Sequence, residues 1–240
     1  METRIQEIRA RGNKDIRIGI IPGHFATNHS HVNYYVDLTS IKSRHKMARA
    51  AAGELAKKYL NSTPIDTIIC LEGTEMIGAF LAEELANAGV RSINSGSDIC
   101  VLTPETNANN QMIFRDNTQK MVWGKNILLL IASVSTGKTI NRSVECLQYY
   151  SGRLAGISAV FSAAREAAGL PVNAIFTEED IPGYLTSPSC SSPCMPSWKA
   201  PTPGSTRASA ARTSAGLLVT CTSAPKWANA CCTLSRLDRP

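Results

Sequence analysis

Apolar residues in this chain form two kinds of pattern, unbroken runs and helically spaced stripes, and the two alternate. Ile127 to Ile131 is an unbroken run of five apolar residues, the signature of a strand buried on both faces of a parallel sheet. Ile65 to Leu71 (IDTIICL), Ile99 to Leu102, Gln111 to Phe114, Gly156 to Ser162 and Val172 to Phe176 are further predicted strands. So is Ile16 to Ile21, which Pro22-Gly23 is expected to close. Between these runs the spacing becomes helical. Met47, Ala51, Leu55 and Ala56 form the buried stripe of a helix over Ser43 to Leu60, with Lys57 and Lys58 near its C-terminus to suit the dipole. Asn61 to Pro64 end it. A second helix is predicted over Met76 to Ala88, and a third carries Ile140, Val144 and Leu147. Ile5 and Ile8 predict a short amphipathic helix over Glu2 to Ala10. Strands alternating with helices predict an α/β fold, a mainly parallel sheet flanked by helices.

The pattern stops near residue 184. The 240-residue chain is 43% hydrophobic and 18% charged, enough for one domain with a core. The segment from Tyr184 onward holds seven of the twelve prolines and five of the eight cysteines, with no helical or strand period. Such a bias toward Pro, Ser, Ala and Thr predicts a disordered tail over 184–240, after a folded domain over 1–183. The alternative is a frameshifted reading frame, since the break falls inside an ongoing domain. Cys190-x3-Cys194 and Cys231-Cys232 lack a nearby His and the spacing of a zinc site.

Charge follows the same division. The tail carries six Lys and Arg against one acid, leaving 19 basic and 18 acidic residues before it, so the net charge of +6 belongs mostly to the tail. No basic stripe argues for nucleic acid. No apolar run reaches the length of a membrane span. The charged start METRIQEIRARGNKDIR lacks a signal-peptide core, so the expected location is the cytoplasm, where disulfides are uncommon.

Candidate chemistry lies where strands run into helices. After Ile127 to Ile131 come Ala132, Ser133 and Val134, then Ser135, Thr136, Gly137, Lys138 and Thr139. N–H groups at a helix start are unpaired and, with the dipole, attract anions. Thr136 and Thr139 add hydroxyls, and Gly137 permits close approach of a phosphate. The loop reads as a phosphate cradle, and otherwise as an ordinary strand-to-helix turn. Glu72, Gly73, Thr74 and Glu75 form a second loop of this kind, and ligands of open α/β sheets lie beyond the carboxyl ends of the strands. The two glutamates either face a ligand or merely charge the helix start. His24, His29 and His31, spaced H-x4-H-x-H, are expected on a polar loop, with metal binding the less favoured reading.

Two families place a TGKT-like loop after a buried strand. Ala132-x4-Gly137-Lys138-Thr139 fits a relaxed Walker A pattern of P-loop NTPases. Only about one further βα unit follows it, too little for such a core. The same stretch resembles the fingerprint of type I phosphoribosyltransferases: a hydrophobic strand, two acidic residues, small residues, then TGGT or TGKT. Here Ile131 and Ala132 stand where the acidic pair is expected. The resemblance covers most of residues 15–183 and is of the orotate type. Phe25 and Tyr34-Tyr35-Val36-Asp37-Leu38 loosely match that enzyme's N-terminal segment, placed here in residues 1–40. Asn28 replaces its base-contacting lysine, His29-Ser30 replaces Ser-Gly, and no lysine-rich catalytic loop occurs between residues 103 and 120.

The resemblance implies transfer of a phosphoribosyl group from phosphoribosyl pyrophosphate (PRPP) to a nucleobase, with Mg²⁺ as cofactor and a homodimer as assembly. It assigns the 5′-phosphate to Ser135, Thr136, Gly137, Lys138 and Thr139, and the ribose to Ile131, Ala132 and Ser133. Glu72, Gly73, Thr74 and Glu75 would form the pyrophosphate loop, Phe25, Asn28 and His29 would meet the base, and Arg115 would stabilise charge. A cover over the site is expected in the polar loop Thr103 to Asn110. Ile131 and Ala132 cannot accept hydrogen bonds from ribose hydroxyls. Such bonds are worth roughly 1.5–3 kcal/mol each, so their loss weakens ribose binding about a hundredfold or more unless Ser133 or Glu72 substitutes. A non-catalytic protein binding PRPP or a nucleoside 5′-monophosphate is the alternative, and a P-loop NTPase a remote one.

Overall fold

The computed structural model describes residues 5–27, 30–87, 92–107, 111–187, 210–213 and 216–219. In chain order these form β1 (Gln6–Arg9), β2 (Arg17–Ala26), β3 (His31–Asp37), α1 (Thr39–Ser43), α2 (His45–Ala56), β4 (Thr67–Cys70), α3 (Glu75–Asn87), β5 (Cys100–Leu102), β6 (Glu105–Thr106), β7 (Met112–Ile113) and α4 (Asp116–Gln119). Then come β8 (Asn126–Val134), α5 (Lys138–Tyr149), β9 (Arg153–Ser162), β10 (Glu166–Ala167), β11 (Leu170–Thr177), β12 (Thr186–Ser187), β13 (Ala210–Thr213) and β14 (Gly216–Val219). The described residues divide into two compact units: those within 8–18 and 38–180, and those within 1–7, 19–37 and 181–240.

The larger unit is built on a sheet of order β10-β11-β9-β8-β4-β5. Every neighbouring pair from β11 to β5 is parallel, and only β10 is antiparallel, forming a hairpin with β11. β8 lies inside the sheet, and Ile127 to Ile131 are at most 1% exposed, as its unbroken apolar run predicts. Alternate residues of β8 serve opposite layers. Ile127, Leu129 and Ile131 join Ile140, Val144 and Leu147 of α5 in one core cluster. On the other face Gly78 of α3 comes so close to β4 that an added Cβ would lie 2.3 Å from Cys70 Sγ, so only glycine lets the helix seat there. Tyr59, fully interior, donates its hydroxyl to Ile157 O at 3.0 Å and accepts from Ser158 Oγ at 2.9 Å.

The smaller unit holds most of a sheet of order β1-β2-β3-β12, in which β3 pairs antiparallel with both β2 and β12. Its histidines face each other, with His24 Nε2 and His31 Nδ1 3.0 Å apart. Phe25 is buried and packs on Tyr35, with ring centroids 5.7 Å apart.

Several elements differ from expectation. The stretch expected as a helix over Glu2 to Ala10 instead contains β1. A helix that short has little stability of its own, whereas a sheet edge satisfies its backbone. β2 does not stop at Pro22-Gly23 but continues to Ala26 through a register shift between Pro22 and Phe25, the setting in which a strand tolerates proline. His24 and His31 consequently lie on paired strands rather than on a loop. The helix expected over Ser43 to Leu60 spans His45–Ala56 instead; Ser43 ends the separate short helix α1, and Arg44 between the two is extended (φ −103°, ψ 114°). The expected stripe of Met47, Ala51, Leu55 and Ala56 is buried. β6 lies within the polar stretch Thr103 to Asn110 and pairs with β7 beyond it.

Past residue 183 the chain is still engaged: β12 pairs with β3, and Leu185 N donates to Asn33 Oδ1 at 2.7 Å. β13 and β14 form an antiparallel pair in a segment without strand periodicity. No helix among the described residues is long and apolar enough to cross a membrane.

Candidate functional site

β4 and β8 are adjacent and parallel, with Thr67 opposite Ile127 and Cys70 opposite Leu130. Their carboxyl ends therefore open at one edge of the sheet, each into a short loop and a helix. Leu71 N donates to Leu130 O at 2.8 Å, and Thr74 Oγ1 donates to Leu71 O and Leu130 O at 2.9 and 3.2 Å. Thr74 is 0% exposed, so its hydroxyl braces the loop and is not offered to a ligand.

The β4–α3 loop bends through two left-handed residues, Glu72 (φ 58°) and Gly73 (φ 77°). For a non-glycine residue this conformation costs roughly 1–2 kcal/mol, so the surroundings must hold Glu72 there. They do so at both ends of the residue. Its carbonyl accepts from Lys42 Nζ at 2.9 Å, and its Oε2 accepts from Ser133 N at 3.3 Å. Burial pushes the Glu72 carboxyl above the usual carboxylate range, opposed by the Ser133 hydrogen bonds and the Lys42 charge. Glu75 opens α3, and its Oε1 accepts from Thr103 Oγ1 at 3.2 Å.

The β8–α5 loop is shorter. Gly137 (φ 75°, ψ −3°) is the N-cap of α5 in left-handed geometry, and its carbonyl accepts the first helical bond from Asn141 N at 3.0 Å. No side chain caps the helix, and its first turn holds no acid. Ser135 and Thr136 are half-buried, while Lys138 and Thr139 are exposed. The first-turn N–H groups, lacking intrahelical acceptors, form with these hydroxyls a cradle suited to a phosphate.

The remaining candidates divide. Ile131 and Ala132 are 1% and 3% exposed, and Ile131 packs with Ile69 and Ile140 in the core, so neither offers a surface to a sugar. Ser133 does reach this edge. Phe25 is a core residue of the smaller unit, so its ring is not presented for stacking on a base. Asn28 and His29 lie outside the described residues. Arg115 is exposed and pairs with Glu105 of β6, Nε to Oε1, at 2.7 Å. The Walker A reading fails locally: Ala132, which should open the loop, is buried inside β8, and only Ser135 to Gly137 separate strand from helix.

Lys42 was not singled out by its sequence. Its one signal is position: it lies in the last turn of α1, just before the break at Arg44, and its Nζ reaches the Glu72–Gly73 turn.

No family model matches the chain, and no curated protein matches it. Solved structures do. UMP synthase of Leishmania donovani aligns at 17% identity and a TM-score of 0.50, over 68% of this chain and 34% of that one. The fold is that of the type I phosphoribosyltransferases. This chain spans about a third of the Leishmania protein. Orotate phosphoribosyltransferase of Mycobacterium tuberculosis, in complex with Fe(III) dicitrate, aligns at 18% identity and 0.46, over 69% of this chain and 93% of that one. Adenine phosphoribosyltransferase of Thermoanaerobacter pseudethanolicus aligns at 16% and 0.43, over 73% and 96%. β8 carries buried Ile131 and Ala132 where the fingerprint in the sequence expects two acids. A carboxylate reaches that strand end from the neighbouring loop instead.

The residues present suit a hard cation of limited demand. Among the described residues no cluster of three or more His, Cys, Asp or Glu could enclose a metal. Mg²⁺ is commonly held by one or two carboxylates together with substrate phosphates, and Glu72 and Glu75 supply two carboxylates on one loop.

Proposed function

We propose that this chain is a divergent phosphoribosyltransferase that moves the phosphoribosyl group of PRPP to a nucleobase, of the orotate type by resemblance. The observation that carries the reading is the Glu72 carboxylate on Ser133 N, 3.3 Å away at the end of β8. It supplies an acceptor where the fold otherwise ends in apolar Ile131 and Ala132, so a ribose hydroxyl can still donate to a carboxylate.

The division of labour follows from the two loops. Ser135 to Thr139 hold the 5′-phosphate through N–H groups and hydroxyls. Lys42, held over the second loop, offsets the negative charge of Glu72 and Glu75 and draws in the diphosphate. Mg²⁺, carried on the diphosphate and met by Glu72 and Glu75, would neutralise the leaving group. In the reaction the C1′–O bond to diphosphate breaks and its electron pair leaves with the diphosphate. A base nitrogen then bonds to C1′ and releases its proton. Arg115 is proposed to counter developing charge. Its exposed pair with Glu105 is worth about 0–1 kcal/mol and holds it only weakly.

A non-catalytic PRPP- or nucleotide-binding protein is the second reading, favoured by the burial of Ile131 and Ala132, which removes the usual sugar contacts. Incubation with PRPP, Mg²⁺ and orotate, following diphosphate release, separates the two. Base-dependent release that Thr136→Ala with Thr139→Ala abolishes supports the enzyme. PRPP binding without release with any of the common nucleobases supports the second reading, and absence of PRPP binding contradicts both.

A further inference from the structure

A cavity of about 710 Å³ in the larger unit is lined by Arg9, Lys14, Asp15, Arg17, Ser43 and the first residues of α2 with their cap, Arg44 to Met47. It shares no residue with either loop described above. Three separate pieces of chain bring five Lys and Arg side chains to it, the end of β1, the turn with the start of β2, and the α1–α2 junction, against the one acid Asp15. The near-neutral balance of residues 1–183 thus conceals an uneven distribution.

We propose that this cavity is a second anion site, taking a compact polyphosphate such as the triphosphate of a free nucleotide. Three features point that way. Among the described residues, no carboxylate pairs with Arg9, Lys14, Arg44 or Lys46, whereas nearby Arg11 is paired with Asp180 at 2.7 Å. Next, Arg44, His45 and Lys46 stand at the positive end of α2, which has no side-chain cap and no acid in its first turn. Cations there oppose the helix dipole, and a bound anion reverses the sign of that interaction while using the free N–H groups. Finally, the volume falls in the range of small-molecule pockets, roughly 300–1,000 Å³. No Phe, Tyr or Trp lines it to stack on bases, which sets it apart from a single-strand track.

The test is titration of the full chain with inorganic triphosphate at low and at physiological salt. The wild type is compared with Lys14→Ala/Arg44→Ala/Lys46→Ala and with Thr136→Ala/Thr139→Ala. The site predicts a loss of about tenfold or more for the triple variant, while the loop variant, which has lost the cradle hydroxyls, still binds triphosphate through this second site. Because Lys14 is exposed in a turn, Lys14→Ala alone keeps the fold and is expected to lose about threefold. The proposal is overturned if the wild type does not bind triphosphate, if only the loop variant loses binding, or if Lys14→Ala and the triple variant bind as the wild type does. It is also overturned if a single-stranded oligonucleotide binds this surface and triphosphate does not displace it. Binding retained by the loop variant and lost by the triple variant belongs to this site alone, so this outcome is independent of the proposed reaction.

Discussion

The Glu72 carboxylate accepts a hydrogen bond from Ser133 N across 3.3 Å and so joins the loops that follow β4 and β8. The two residues lie 61 positions apart, and the parallel register of Thr67 with Ile127 brings their strand ends side by side. A carboxylate thereby stands near the end of β8 although β8 itself carries apolar Ile131 and Ala132 there. Lys42 fixes the same residue from the other side through the Glu72 carbonyl.

Glu72→Gln keeps the size and a hydrogen-bond acceptor but removes the charge. Hydrogen bonds to charged groups contribute about 1.5–3 kcal/mol, so PRPP affinity should fall about ten- to a hundredfold, with the melting temperature little changed. Burial raises the Glu72 carboxyl above the ordinary range, so wild-type affinity should also begin to fall at a higher pH than an exposed glutamate would produce. Titrations of both proteins against pH check this. Equal affinity and equal pH dependence would remove Glu72 from the sugar site.

The framework was legible in sequence and the site's wiring was not, for physical reasons. A strand buried on both faces is mostly apolar, so β8 announced itself as an unbroken run, and β4 and β9 as apolar-rich stretches interrupted by Thr67 and Ser158. The stripe Met47, Ala51, Leu55 and Ala56 announced α2 by its period. β1 did not, because an edge strand is defined by the neighbour it pairs with rather than by its own pattern. The Lys42–Glu72–Ser133 arrangement depends on three segments distant in sequence and on the break at Arg44, and no local spacing encodes it. The β8–α5 loop was readable because strand, Thr136-Gly137 and helix are contiguous.

The His24–His31 pair should make stability pH-dependent. Burial lowers both pKa values, and for His24 the neighbouring His31 charge lowers it further. Above the ordinary value of 6.5 both states are neutral and the pair adds no pH dependence. As pH falls below it, the unfolded chain takes up protons that the folded pair refuses, so stability declines until the lowered folded values are passed. Thermal melts between pH 7.5 and 5 should show this decline. His31→Asn, which keeps an acceptor but does not titrate, should flatten it. An unchanged slope would mean that other groups set the acid limit.

Tyr59→Phe tests the core beneath the sheet. The Tyr59 hydroxyl is the partner of the fully buried Ser158 Oγ and donates to Ile157 O. Removing it leaves a buried hydroxyl without its partner, at a cost of about 1–3 kcal/mol. Urea denaturation should show a lower midpoint with the same slope. A change under about 0.5 kcal/mol would show that the pair adds little.

The most direct measurement is calorimetric titration with PRPP, with and without Mg²⁺, of the wild type, Thr136→Ala/Thr139→Ala and Lys138→Ala. The phosphate cradle rests on N–H groups and hydroxyls, and exposed Lys138 acts as a screened point charge. The wild type should bind PRPP more tightly with Mg²⁺. The double threonine variant should lose at least about tenfold, and Lys138→Ala should lose less. Absence of PRPP binding by the folded wild type, or a larger loss for Lys138→Ala than for the threonine pair, would contradict the account.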